Sequence, residues 1–150
     1  MKTPNPELGE KLAHLLSDVV SLGFITQGYH WNVKGMNFAQ FHEFFAEIYE
    51  DIDSAIDPLA ENIRKLGFDA PYLLEDFQGM TCIHQERLGG DPLAMLASLA
   101  EANSIVSNCY VGAFALADSC NEQGIADFLA GRIDMHAKWQ WQLEASLGLR

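Results

Sequence analysis

The sequence predicts an all-α protein: four long helices in a bundle, with a short helix in the crossover between the second and third. Three observations carry this. Leu and Ala supply 18 and 17 residues while Thr and Val supply only 3 and 5, a usage that favours helix over strand. Apolar residues recur at three- and four-residue steps over stretches of about 28 residues, long enough that a bundle is the natural way to bury them. Capping residues open these stretches and glycines follow three of them.

The first helix should begin at Asn5-Pro6-Glu7, where Asn caps free N–H groups, Pro fits the first helical position and Glu opposes the dipole. Leu8, Leu12, Leu15, Leu16, Val19 and Leu22 form its stripe, and it can run to about Lys34 before Gly35 stops it. A second helix should open at a cap-like Asn37 with Gln40 three residues on, and end at Leu66 before Gly67. Pro58 removes one donor inside it, so a bend near Asp57 is expected and not a break. Residues 68–90 read as a connection holding a short helix over Tyr72–Phe77, long enough to cross the bundle and join two helices that run in parallel. Asp91-Pro92 restarts helix to about Cys120, and Gly124 to Leu147 forms the last one. Residues 1–150 read as one domain.

Composition excludes several classes of function. Nine Lys and Arg against 21 Asp and Glu leave a formal charge of −12, so the chain repels DNA and anionic lipid and attracts cations. A hydrophobic content of 49% excludes disorder as the main state. Cys82, Cys109 and Cys120 are an odd number without Cys-x-x-Cys spacing, which argues against a disulfide framework and a zinc knuckle and reads as three small buried hydrophobes. No apolar leader and no membrane-spanning run is seen, so a cytoplasmic protein is expected.

The usual metal site of a helical bundle uses Glu-x-x-His on two helices. Residues three before the five histidines are Lys11, Gln27, Ala39, Thr81 and Ile133, so that motif is absent. Another arrangement emerges from spacing. His30 lies six residues before Met36 and His42 six after it, so a tight hairpin brings both imidazoles to one level, each about 9 Å from the turn. Asp57 and Glu61 form an i, i+4 carboxylate pair on the second helix, but about 22 Å of helix separates His42 from Asp57. Two copies of that helix packed antiparallel about a two-fold axis would bring the His end of one to the carboxylate end of the other. The same carboxylates also fit a solvated helix face.

At this point a family becomes recognisable. His30-Trp31-Asn32-Val33-Lys34-Gly35-Met36-Asn37-Phe38, then Phe41-His42-Glu43, then Asp57-x-x-x-Glu61-Asn62-Ile63-Arg64, closely resembles the Dps family of mini-ferritins, over nearly the whole chain. The resemblance implies a ferritin-like four-helix bundle, a dodecameric cage and ferroxidase sites at two-fold interfaces. There Fe(II) would be oxidised by hydrogen peroxide or dioxygen and stored as ferric mineral, protecting against oxidative stress. Position by position it implies His30 and His42 as ligands from one subunit and Asp57 and Glu61 from its mate. Ala46 stands where the family pattern has an Asp, so one oxygen ligand is missing. Either the site is weakened or His136 substitutes, as extra histidines do in some cyanobacterial members, which would make a softer centre that also accepts zinc. Glu43 and Glu47 are candidates for mineral nucleation or for a solvated face, and Glu122 and Asp127 for an acidic entry pore. Trp31, Trp139 and Trp141 read first as packing residues. His14 and His84 have no partner at sensible spacing. The alternatives to an active ferroxidase are a ferroxidase-impaired metal-binding cage and a DNA-protecting nucleoid protein. The absence of a Lys-rich tail argues against DNA binding.

Overall fold

The computed structural model describes residues 5–150, so Met1 to Pro4, part of the tail considered for DNA binding, lie outside the described residues. Five helices follow in order: α1 (Pro6–Asn32), α2 (Phe38–Lys65), α3 (Leu74–Met80), α4 (Pro92–Ser119) and α5 (Gln123–Ser146). No strand occurs among the described residues.

Local chemistry sets most boundaries. The Asn5 side chain accepts the Leu8 N–H at 3.1 Å, and Asp91 accepts that of Leu93 at 3.1 Å, each with proline at the start of the helix it caps. Asn37 behaves differently from expectation. It makes no side-chain cap and takes the left-handed conformation at φ 65°, because five residues must reverse the chain between α1 and α2. The second helix is continuous through Pro58. The short helix lies slightly later than the Tyr72–Phe77 reading and buries none of its residues fully.

The crossover settles how the helices run. Lys34, just past α1, donates its N–H to the Gly90 carbonyl at 3.1 Å, so the long connection returns to the end of the bundle where α2 begins. The helices α2 and α4 therefore start at one end and run in parallel. Gly90 has φ 89°, and a Cβ there would lie 2.8 Å from the Asn32 carbonyl oxygen, which only glycine avoids. The α1/α2 and α4/α5 hairpins meet mainly along α1 and α4, while α2 and α5 touch at few points.

The predicted stripes form the core: Leu8, Leu12, Val19, Leu22, Phe45 and Ile52 are wholly buried. The cysteines correct the sequence reading. Cys82 is exposed in the crossover, Cys120 is partly buried at the end of α4, and Cys109, inside α4, is partly buried where it packs against the edge of the core. Of the tryptophans, Trp139 is core, whereas Trp31 and Trp141 are more than half exposed. No helix of the described residues is long and apolar enough to cross a membrane.

Candidate metal centre

His30 lies in the last turn of α1 and His42 in the first turns of α2, and the hairpin brings them face to face. Their rings stack with centroids 3.7 Å apart and planes 14° from parallel. Each ring holds the other's backbone: Nδ1 of His30 lies 2.5 Å from the His42 carbonyl oxygen, and Nδ1 of His42 lies 2.6 Å from that of His30. A carbonyl only accepts, so both Nδ1 atoms carry the proton and donate. In the neutral rings both lone pairs are then on Nε2. Anchoring of this kind fixes both the ring orientation and the tautomer of an imidazole, the arrangement a metal-binding histidine needs. Phe38 stacks on His42 at 4.9 Å, and Tyr49 tilts against His30 at 5.4 Å.

Asp57 and Glu61 are exposed on α2, well beyond this pair. Among the described residues, no group of three or more His, Cys, Asp or Glu could hold a metal ion. Within one subunit the histidine pair and the two carboxylates thus stand at separate places on the α1/α2 hairpin.

At 100° per residue, Ala46, Tyr49, Glu50 and Asp53 all project within about a right angle of His42, and of these sequence reasoning missed Tyr49 and Asp53. The Asp53 carboxylate lies over the backbone of α1, where a Cβ on Gly23 would come within 2.8 Å of its Oδ1. Partial desolvation there, and the neighbouring Glu50 charge, raise its pKa. Spacings of seven and eleven from His42 were the available signal.

His136 is not with the other histidines, which corrects the substitute-ligand reading. It is wholly buried between α4 and α5. Asn103 uses its Nδ2 to donate to the His136 carbonyl and to Gln140 Oε1, so its Oδ1 accepts from His136 Nδ1 at 2.7 Å. An Arg132 nitrogen lies 3.3 Å from His136 Nε2, the orientation of a donor to a lone pair. Both ring nitrogens are occupied, and none remains for a metal. Burial first and then the Arg132 charge push the imidazole down to about 3, with Asp51 opposing, so it stays neutral. No third histidine therefore joins His30 and His42 to make a softer, zinc-accepting centre.

The carboxylates of the other readings lie apart. Glu43 and Glu47 are exposed and line an open groove of about 450 Å³ between α2 and α5, with Trp141 on its far side. Glu122 precedes α5 and Asp127 is exposed on its second turn. His14 and His84 are both exposed.

The comparisons with known proteins agree with this architecture. The model of the ferritin-like domain matches residues 9–150. A protein of Brevibacillus brevis named DNA protection during starvation protein is 33% identical over 126 residues, covering 79% of this chain and 80% of its own. The chain belongs to the Dps family of ferritin-like proteins. The crystal structure of a Dps protein from Vibrio cholerae O1, described as a member of a broad superfamily of ferritin-like diiron-carboxylate proteins, superposes with a TM-score of 0.92 at 26% identity, over 98% of both chains. General stress protein 20U of Bacillus subtilis is 30% identical over 122 residues, 80% of this chain and 83% of its own. Within the Dps family, then, this chain is one with paired histidines held by backbone and an alanine at position 46.

Proposed function

We propose that the protein is an iron-storing and iron-detoxifying ferroxidase whose sites form between two-fold-related subunits of a hollow dodecamer in the cytoplasm. The observation that supports this is the His30–His42 pair, with both Nδ1–H groups tied to backbone and both Nε2 lone pairs left for a cation. Asp57 and Glu61 of a two-fold mate would supply the oxygens that one subunit cannot bring to this pair. Two negative charges beside two neutral imidazoles suit Fe(II) as substrate.

The hairpin's part is to fix ring orientation, so little entropy is lost when the ion binds. Oxidation of two Fe(II) by one hydrogen peroxide consumes two protons and yields two Fe(III) and two waters, which avoids hydroxyl radical; dioxygen is the other oxidant considered. Glu43 and Glu47 would offer oxygen donors to the ferric product, and Glu122 and Asp127 an acidic way in. Ala46 favours a second reading, in which one metal position is weak and the cage binds iron with slow oxidation.

Fe(II) added anaerobically to the metal-free protein, followed by peroxide, tests both. A ferric absorbance rising faster than in protein-free buffer supports the ferroxidase, and binding without acceleration supports the second reading. In His30→Ala and His42→Ala the acceleration should vanish while light scattering still shows the dodecamer. A wild-type protein that neither binds Fe(II) nor exceeds the blank overturns the proposal.

A further inference from the structure

Asp18, in the middle of α1, is a carboxylate with 2% of its surface exposed, and its contacts lead to the crossover and to α4. Its Oδ1 accepts the Thr81 hydroxyl at 2.9 Å and the Cys82 backbone N–H at 2.7 Å. Its Oδ2 faces the Cys109 Sγ on α4 at 3.6 Å, where the thiol donates. One buried carboxylate thereby gathers two cysteines that are 27 residues apart in sequence.

The two thiols sit in different environments. Cys82 is exposed in a stretch of crossover without regular structure, so an oxidant in solution reaches it. Cys109 is half-buried, and burial first, then the Asp18 charge, push its thiol up to about 11. The Asp18 carboxylate, bonded to the Cys82 backbone by one oxygen and to the Cys109 thiol by the other, is what brings the two residues together. A protonated, sheltered thiol is a poor first nucleophile but a competent second one when a base is at hand.

We infer that Cys82 and Cys109 form a peroxide-reactive dithiol, with Cys82 as the attacking and Cys109 as the resolving sulfur. In the first step the Cys82 thiolate forms an S–O bond as the peroxide O–O bond breaks; hydroxide departs and takes up the proton that the thiol released, as water. In the second step the Cys109 sulfur forms an S–S bond with Cys82 as the S–O bond breaks, and the departing hydroxide leaves as water with the Cys109 proton. Asp18 Oδ2 is placed to take that proton in passing. Two thiols lose two electrons and two protons, and one peroxide becomes two waters. The disulfide needs Cα atoms about 4.4–6.8 Å apart, and the irregular crossover is the side that can adjust while α4 stays fixed. The product would clip the crossover to α4. This chemistry uses no metal and goes beyond the iron reading, so it stands or falls separately.

The test is metal-free full-length protein, with chelator present, treated with one equivalent of hydrogen peroxide and digested without reductant for mass spectrometry. A linked Cys82–Cys109 peptide lighter by two hydrogens, lost on adding dithiothreitol, is expected. Cys120, whose sulfur is covered by the Asn5 amide at 2.8 Å, should stay a free thiol. In Cys109→Ser a sulfenic acid should accumulate at Cys82 and be captured by dimedone, while Cys82→Ser should slow thiol loss about tenfold or more. Melting followed by circular dichroism checks that both variants fold. Thiols left intact in the wild type, cross-links only between subunits, or Cys109 reacting equally fast in Cys82→Ser would each overturn the proposal.

Discussion

Asp51 on α2 and Arg132 on α5 are joined by two parallel hydrogen bonds of 2.9 and 2.8 Å, at a place where their helices otherwise meet at few points. The Trp139 indole N–H adds a third bond to the same carboxylate at 2.7 Å, and Arg132 reaches on to His136. This chain of polar contacts ties the two hairpins together across a face that apolar packing leaves thin. Burial opposes ionisation of Asp51, but the bonds from Arg132 and Trp139 outweigh it and hold its pKa below the usual value.

Removing one partner should therefore be costly. Asp51→Ala leaves the guanidinium of Arg132, 9% exposed, without its counter-charge, and should lower stability by about 3 kcal/mol or more. The double variant Asp51→Ala/Arg132→Met should recover much of that loss. Chemical denaturation of both proteins checks this, and equal losses in the two would contradict it.

Acid should loosen the same region in a definite window. His136 is held near 3 in the folded chain against about 6.5 when unfolded, so below pH 6.5 the unfolded state takes up the proton first. Stability should fall by about 1.4 kcal/mol per pH unit from pH 6.5 down towards 3. Asp51, with its folded value depressed, contributes stability above the unfolded carboxylate value that is lost as pH falls through the folded one, in the same direction. His136→Gln should flatten the curve between pH 6.5 and 4, as denaturant midpoints at successive pH values would reveal.

Ala46 offers a gain-of-function test. It is partly buried on the His42 face of α2, one turn on, where a carboxylate would extend towards the same space as the histidines. On the proposed ferroxidase reading, Ala46→Asp should tighten Fe(II) binding by about tenfold or more and speed peroxide-driven oxidation. Anaerobic Fe(II) titration of the variant against the natural chain gives the answer, and unchanged binding would separate Ala46 from the site.

DNA binding should be absent. Twelve subunits of formal charge −12 would carry about −144 before counterions and bound iron, a field that repels phosphate. No shift of plasmid DNA is expected at moderate salt, and a retarded band there would overturn this expectation.

Much of the fold was legible because it is local. Caps at Asn5 and Asp91, apolar stripes at helical spacing and the glycines that follow are decided within a few turns of chain, and the structure has them where the pattern put them. The His30–His42 pairing was legible for the same reason, since equal spacing about Met36 is a property of one hairpin. Asn37 was misread because the need to reverse direction in five residues outweighed its capping preference.

By itself, the sequence determined the helices, the acidity and the level at which two imidazoles meet. Only the tertiary structure decided that those imidazoles exchange their Nδ1 hydrogen bonds with each other's backbone, and that His136 spends both nitrogens inside the core. It also decided that Asp18 draws Cys82 and Cys109 together. For His136 and Asp18 the physical reason is that hydrogen-bond partners 33, 64 or 91 residues away are chosen by how helices pack. For the histidine pair, 12 residues apart, spacing sets the level of the rings but not which backbone atom each ring nitrogen meets.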